Sequence, residues 1–305
     1  MLFASCKPLR RAENIKALYD AWGGEKTFVQ MSPWRRHPEI TSGNHSVLVT
    51  DECPAESPGQ VVMVGHGFVG CKLGGLDQPH PYITKEDSKL LTYVICGSEE
   101  SIPLTAKMFG VNESQVLPLG KPRTDIYFTN PKTKYFDYKR VYLYAPTYRT
   151  REETPLPKIN WYAIDGNLTD NEVLIVKPHM MDGKQLKREY RHIIEVPSSE
   201  PSAQYLLEAD VLITDYSSIM VDALLLNTPV VLFEMAKGYL DTRGMYYKYP
   251  DEYSSRYCTD ELNLIRTIRK ANVLQSADIV FRDRVACACD GHSTERIIEL
   301  LEKIE

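Results

Sequence analysis

The sequence predicts an α/β protein made of two Rossmann-like domains that face a central cleft. Three observations predict it. Strand-like and helix-like patterns alternate along the whole chain, the mark of βαβ units and parallel sheets. Runs such as Val61-Val62-Met63-Val64 and Val173-Leu174-Ile175-Val176 are apolar and mostly β-branched, as strands buried on both faces are. Each of these runs leads into a histidine, His66 or His179. Open α/β sheets bind ligands beyond the carboxyl ends of their strands, so two such ends in different halves suggest two facing walls of a crevice.

In chain order, the first half carries strand patterns at 27–31, 46–50, 60–65, 92–96 and 115–119. Helical patterns fall at 14–22, 84–91 and 99–109, the last stopped by Gly110. The second half has strands at 141–145, 172–176, 193–195, 211–214 and 230–233, with helices at 201–208, 218–226, 260–270 and 294–303. Residues 128–134 are polar and proline-interrupted and read as a linker, while 153–157 reads as a surface loop. The expected domains are therefore 1–127 and 128–305, and the last helix is a candidate for packing back on the first domain.

The chain has 305 residues, 43% hydrophobic and 25% charged, enough for well-filled cores and against disorder. A net charge of -5 gives no global attraction to nucleic acid or anionic lipid, so no nucleic-acid partner is expected. Arg10-Arg11, Arg35-Arg36-His37 and 184–191 read singly as solvated basic faces. Seven cysteines, odd in number and without a C-x-x-C pair, point to a reduced, cytosolic protein. No apolar stretch approaches the ~20 residues of a membrane helix. Nor does the start have a signal-peptide layout, so a lipid-linked substrate is expected to be met peripherally, at the inner face of the membrane.

The strongest motif is Ala209 to Ile219, where a strand ends at Thr214 and a helix begins near Ser217 or Ser218. Serine favours the N-cap, and the free N–H groups of a helix start can cradle phosphate. Asp222 follows one turn on, within reach of a ribose hydroxyl. A lone Asp-x-Ser-Ser is usually an ordinary cap; its place at a parallel strand's carboxyl end favours function. Thr147 and Arg149 follow the strand at 141–145, and the arginine fork suits bidentate phosphate contact. Gly120-Lys121-Pro122-Arg123-Thr124-Asp125 follows another strand; Arg123 and Asp125 read more readily as a pair fixing the hinge than as substrate ligands.

These pieces in this order resemble the CDP-glycerol glycerophosphotransferase family, which includes the teichoic acid primases and poly(glycerol phosphate) polymerases. The resemblance rests on His66-Gly67 with Lys72 and Leu76-Asp77, Gly120 to Asp125, Tyr144 to Arg149, Lys177-Pro178-His179, Ile213 to Asp222, Arg243-Gly244, and Asp290-Gly291 with Arg296. It implies a GT-B pair of domains, the first for the acceptor and the second for CDP-glycerol. It also implies metal-independent transfer of glycerol phosphate to a hydroxyl of a lipid-linked glycan or polyol-phosphate acceptor, releasing CMP, with no cofactor. By similarity, His66 is the general base, suited by an ordinary pKa of about 6.5. His179, Lys177 and Arg149 hold the pyrophosphate, Ser217 and Ser218 a phosphate, and Asp222 a hydroxyl. Gly67, Lys72, Arg123, Thr147 and Arg243 complete the implied substrate contacts.

After His66-Gly67 the family often shows Thr-Pro-Leu-Lys, where this chain has Phe68-Val69-Gly70-Cys71-Lys72. That loop is expected to border the acceptor, whose identity stays open. The region before Val61 matches weakly and has no long basic amphipathic helix, which fits short primases and capsule-type transferases better than long-chain polymerases. A CDP-ribitol donor, a GT-B glycosyltransferase using a nucleotide sugar, and a non-catalytic nucleotide-binding relative are the alternatives.

Overall fold

A computed structural model describes the chain apart from residues 32–39, 42–43, 72, 79–82, 131–135, 149–157, 180–181, 183, 235–238 and 243, and the side chains of 241 and 242. Lys72, Arg149, Arg243 and Arg35-Arg36-His37 therefore lie outside the described residues, as does most of the expected linker. The chain forms two units. The first is Met1–Asn130 with Asp283–Glu305, and the second is Pro131–Arg282.

In the first unit, β1 (Leu2–Ser5), β2 (Thr27–Gln30), β3 (Val47–Thr50), β4 (Gln60–Met63), β5 (Tyr93–Ile95) and β6 (Val116–Leu117) form one parallel sheet. Its order is β2-β1-β3-β4-β5-β6. Successive side chains of a strand point to opposite faces. Leu2, Ala4, Leu48, Val61, Met63 and Val94 accordingly fill one buried layer, and Phe3, Val47, Val49, Val62, Val64 and Ile95 the other. Helices α1 (Glu13–Ala21), α2 (Lys85–Ser88) and α3 (Ile102–Phe109) lie between strands, and α4 (Ile126–Thr129) follows β6. The helix expected at 84–91 is only one turn, started by a Thr84–Asp87 capping box. The expected linker begins as helix, in α4. Strand β1 was not predicted, because a four-residue apolar run has no period that separates strand from helix. Between β1 and β3 the strand order reverses, which makes their carboxyl ends the switch point of this sheet.

The second unit repeats the plan with β7 (Arg140–Tyr144), β8 (Glu172–Val176), β9 (Ile193–Glu195), β10 (Val211–Thr214), β11 (Val230–Phe233) and β12 (Tyr257–Cys258). The order β12-β11-β10-β7-β8-β9 puts the switch point between β7 and β10. Helices α5 (Trp161–Asn167), α6 (Ser202–Leu206), α7 (Ile219–Leu225), α8 (Tyr239–Thr242) and α9 (Glu261–Lys270) complete it. Ile164 of α5 and Leu264, Ile265 and Ile268 of α9 cover the layer of Tyr142, Tyr144, Leu174, Val176, Val211, Ile213 and Val231. Glu172, at the start of β8, accepts from Tyr142 Oη at 2.8 Å and from Arg269 of α9 at 2.9 and 2.7 Å. The Arg269 hydrogen bonds, then those from Tyr142 and Thr169, outweigh burial and hold the Glu172 carboxyl down at about 2.

Helix α10 (Ser276–Ala286) leads the chain back into the first unit, and α11 (Ser293–Ile304) buries Ile297 and Leu301 against Ile15 and Leu18 of α1. Helix α10 escaped sequence analysis because its apolar residues do not keep to one face: Phe281 and Val285 are buried while Ile279 and Val280 are exposed. The Gly120-to-Asp125 motif holds the returning helix. Asp125 accepts from Ser293 N at 3.1 Å and Thr294 N at 2.7 Å, capping α11. The Arg296 fork grips both oxygens of Asp290 at 2.9 Å, and its Nε donates to Leu119 O at 3.1 Å. Gly120 has φ +86°, and a Cβ there would lie 2.3 Å from Ser293 Oγ, so only glycine fits.

Candidate active site

In the first unit, His66 lies three residues beyond the end of β4. The chain turns at Gly65, where φ is +66°. Two side chains hold that turn from outside. Asn14 of α1 donates to Gly65 O at 2.8 Å and accepts from Arg123 N at 3.0 Å. The buried Lys121 ammonium donates to Val64 O at 2.6 Å and Ile95 O at 2.7 Å. Burial lowers its pKa to about 8. Arg123 spreads its guanidinium 5.5 Å above the Phe68 ring, and Gly67 lies in the bend between.

The His66 ring is bracketed by carboxylates. Nδ1 lies 3.2 Å from Asp51 Oδ2 and 3.3 Å from Lys7 Nζ, and Nε2 lies 2.5 Å from Glu52 Oε1. Asp51 is buried, and its Oδ2 also accepts from Ser5 Oγ at 3.0 Å. Lys7 follows β1, and Asp51 and Glu52 follow β3, so the cluster occupies the switch point. Burial acting alone would lower the histidine's pKa. The hydrogen bonds to Asp51 and Glu52, with the Asp51 charge, overcome it and raise the value from 6.5 to about 9. At neutral pH the bracketed ring is an imidazolium. Ser5, Lys7, Asp51 and Glu52 were not among the residues singled out from the sequence, where short polar runs after a strand are also what ordinary turns use.

In the second unit, the loops after β7 and β10 are tied together across the switch point. Asp215 Oδ1 accepts from Thr147 N and from Tyr216 N, both at 2.7 Å, and Thr214 Oγ1 donates to Ala145 O at 2.7 Å. Thr147 Oγ1 is buried and has no hydrogen-bond partner among the described residues, a donor and acceptor that a ligand could satisfy. Ser217 and Ser218 are half-buried. The expected serine cap differs in detail: Ser218 sits at the N-cap without capping, and Ser217 Oγ accepts from Ile219 N at 3.4 Å. Asp222 is buried within α7. His179 is half-buried three residues past β8, its ring 5.2 Å from that of Tyr148. Lys177 is buried and donates to Pro178 O at 3.2 Å and Ser198 O at 3.1 Å, bracing the β8 loop from inside. An aromatic stack of Tyr216 on Tyr239, centroids 4.4 Å apart, backs the β10 loop, and Glu234 accepts from Tyr216 and Tyr257. Sequence analysis singled out neither tyrosine partner nor Glu234. The structure thus brings Thr147, His179, Ser217 and Ser218 to three neighbouring strand ends, and His66 to its own switch point in the other unit.

Two doubly wound parallel sheets, each with a histidine in a loop past a buried strand, define the class as a GT-B-type α/β protein. The particular family follows from the sequence. The chain belongs to the CDP-glycerol:poly(glycerophosphate) glycerophosphotransferase family, whose model matches residues 48–303. It is 32% identical over 222 residues to the teichoic acid glycerol-phosphate primase of Bacillus subtilis (strain 168), covering 70% of this chain and 58% of that protein. It is 25% identical over 264 residues to the teichoic acid ribitol-phosphate polymerase TarK of Staphylococcus aureus (strain NCTC 8325 / PS 47), covering 79% and 52%. The chain thus spans about half the length of these curated relatives. A variant of the wall teichoic acid polymerase TagF soaked with CDPG shares the fold, with a TM-score of 0.78 at 19% identity over 99% of this chain and 87% of that one. The UDP-GlcNAc 2-epimerase of Methanocaldococcus jannaschii is more distant, with a TM-score of 0.58 at 12% identity over 99% of both chains.

Proposed function

We propose that this protein transfers glycerol phosphate from CDP-glycerol to a hydroxyl of a teichoic-acid-type acceptor and releases CMP. The observation that carries the reading is His66, held past β4 at a switch point by Lys7 after β1 and by Asp51 and Glu52 after β3, in a chain whose family match runs from 48 to 303. His66 Nε2 takes the acceptor's proton as its oxygen attacks the β-phosphorus. The bond from that phosphorus to the bridging oxygen breaks, and its electrons leave with CMP. His179, Thr147, Ser217 and Ser218 meet the diphosphate, and a donor set of hydroxyls and N–H groups fits the charge growing on the leaving phosphate. Arg149, Lys177, Asp222, Lys72, Gly67, Arg123 and Arg243 belong to the same proposal as supporting contacts.

The acceptor is proposed to be a lipid-linked saccharide or polyol phosphate, reached peripherally at the cytoplasmic membrane face, since the donor is a nucleotide and the acceptor is bilayer-bound. Among the described residues no helix is long and apolar enough to cross a membrane. Transfer without a metal is part of the reading; turnover that persists in EDTA supports it, and loss restored by Mg²⁺ overturns it. The direct test is CMP release from CDP-glycerol with lipid-linked disaccharide acceptors. Release with CDP-glycerol is expected, and folded protein that yields no CMP from any CDP-polyol sinks the proposal. Thermal shifts with CDP, UDP and GDP separate it from a nucleotide-sugar transferase, with CDP expected to stabilise most.

A further inference from the structure

We propose that Glu52 gates the base: its carboxylate holds His66 Nε2 until the acceptor hydroxyl displaces it. The inference rests on the reading of His66 as the proton acceptor. The two ring nitrogens differ in what faces them. On the Nδ1 side, Asp51 is 3% exposed and anchored by Ser5 Oγ, so it cannot leave without stranding a buried charge. Lys7 Nζ closes the same side at 3.3 Å. On the Nε2 side stands Glu52, 26% exposed. Its backbone is fixed by Thr50, whose Oγ1 donates to Glu52 O at 2.8 Å and accepts from Glu52 N at 3.2 Å. Its carboxylate, by contrast, hydrogen-bonds only His66 among the described residues. A fixed backbone carrying a side chain with one removable contact is the build of a swinging group.

The chemistry requires the swing. A general base must present a lone pair to the proton it takes. With the Glu52 carboxylate accepting at Nε2, that nitrogen carries a proton and has no lone pair to offer, whichever state Nδ1 takes between Asp51 and Lys7. The other ionisable groups do not change this. Cys6 and Cys53 are pushed up to about 12, mainly by burial, and stay neutral. Lys7 opposes the imidazolium but is outweighed, and the Lys121 ammonium lies beneath Gly65 on two carbonyls. When the acceptor takes the place of Glu52, the Nε2 proton passes to water and the lone pair faces the hydroxyl. In transfer, the hydroxyl proton moves to Nε2, the acceptor oxygen bonds to the β-phosphorus, and CMP leaves with the electrons of the broken bond. Asp51 stays on Nδ1 throughout and orients the ring.

The pH dependence of turnover tests the gate, because kcat/KM for the acceptor reports the enzyme before it binds and kcat reports the complex. In the unaltered protein the acid limb of kcat/KM is expected above that of kcat. In Glu52→Gln the two limbs are expected to meet at the lower value, and kcat/KM near pH 7 to rise about ten-fold for each unit the limb falls. Asp51→Asn should keep the split and lower kcat. A carbon-13 histidine NMR titration of the full chain, which also reports folding, should show the His66 midpoint fall in Glu52→Gln. Coincident limbs in the unaltered protein, or an unmoved midpoint in Glu52→Gln, overturn the gate. So does Glu52→Gln protein that binds CDP-glycerol yet has no turnover at any pH. If His66→Ala keeps full turnover, the base reading itself falls and the gate with it; if His66→Ala is dead but the limbs coincide, the gate alone is lost.

Discussion

His66 is charged because two acidic neighbours outweigh the cost of partly desolvating its ring, and that balance has measurable consequences. In its proposed role as the base, loss of the ring should cost turnover about 10²–10⁴-fold, the usual range for general-base catalysis. His66→Ala should therefore lose CMP release by that factor while calorimetry shows CDP-glycerol affinity nearly unchanged. The raised pKa also bears on stability. The folded value of about 9 exceeds the ordinary 6.5, so this contribution is fully present below 6.5 and is lost as pH rises through 9. The thermal midpoint should drop across that window in the unaltered protein and drop less in His66→Ala. In the other unit, Asp215→Ala frees the N–H groups of Thr147 and Tyr216 and should weaken CDP-glycerol binding by roughly ten-fold, the scale of one or two charge-assisted hydrogen bonds. Unchanged affinity by calorimetry would remove Asp215 from the site. The two histidines were legible because an aromatic base directly past a buried strand is unusual. Asp51 and Glu52 were not, since acidic residues after a strand are also what ordinary turns use.

At the scale of elements, short segments hold the loops that chemistry needs. The Gly120-to-Asp125 stretch puts an ammonium under the His66 turn, a backbone N–H on Asn14 and a carboxylate on α11. Gly120→Ala should drive Ser293 and Ala288 away from their contacts and destabilise by more than about 1 kcal/mol, the low end for a forced overpacking or strained backbone. Chemical denaturation measures it, and a neutral substitution would mean that the helix end yields freely. The clamp of Glu172 on Arg269 gives an acid limit to the second sheet. The folded Glu172 value of about 2 lies below the ordinary 4.5, so its contribution is present above 4.5 and is lost as pH falls toward 2. Arg269→Met should flatten that part of the acid-denaturation profile. The cap that Asp125 forms was not legible in the sequence, because a cap on a helix far along the chain leaves no local signal.

For the molecule as a whole, the alternation of apolar runs and helical periods was enough to foresee two parallel sheets. The strands at 172–176, 193–195, 211–214 and 230–233 coincide with β8 to β11. What periodicity could not supply was strand order, since β1 enters between β2 and β3 and so makes the switch point that houses His66. Nor did it supply α10, whose apolar residues are spread around the helix. Removing residues 283–305 should uncover Ile15 and Leu18 and leave the first unit open to proteolysis, with the second unit resistant; equal resistance of both would contradict the packing. The proposed role of His66, as the group that accepts the acceptor's proton, is the central claim. Its most direct measurement is CMP released from CDP-glycerol, in the presence of acceptor, by the unaltered protein and by folded His66→Ala across pH 5 to 10. Release that climbs with pH in the first and stays about 10²–10⁴-fold lower, without that climb, in the second is the predicted result. Equal release by the two proteins at every pH would contradict it.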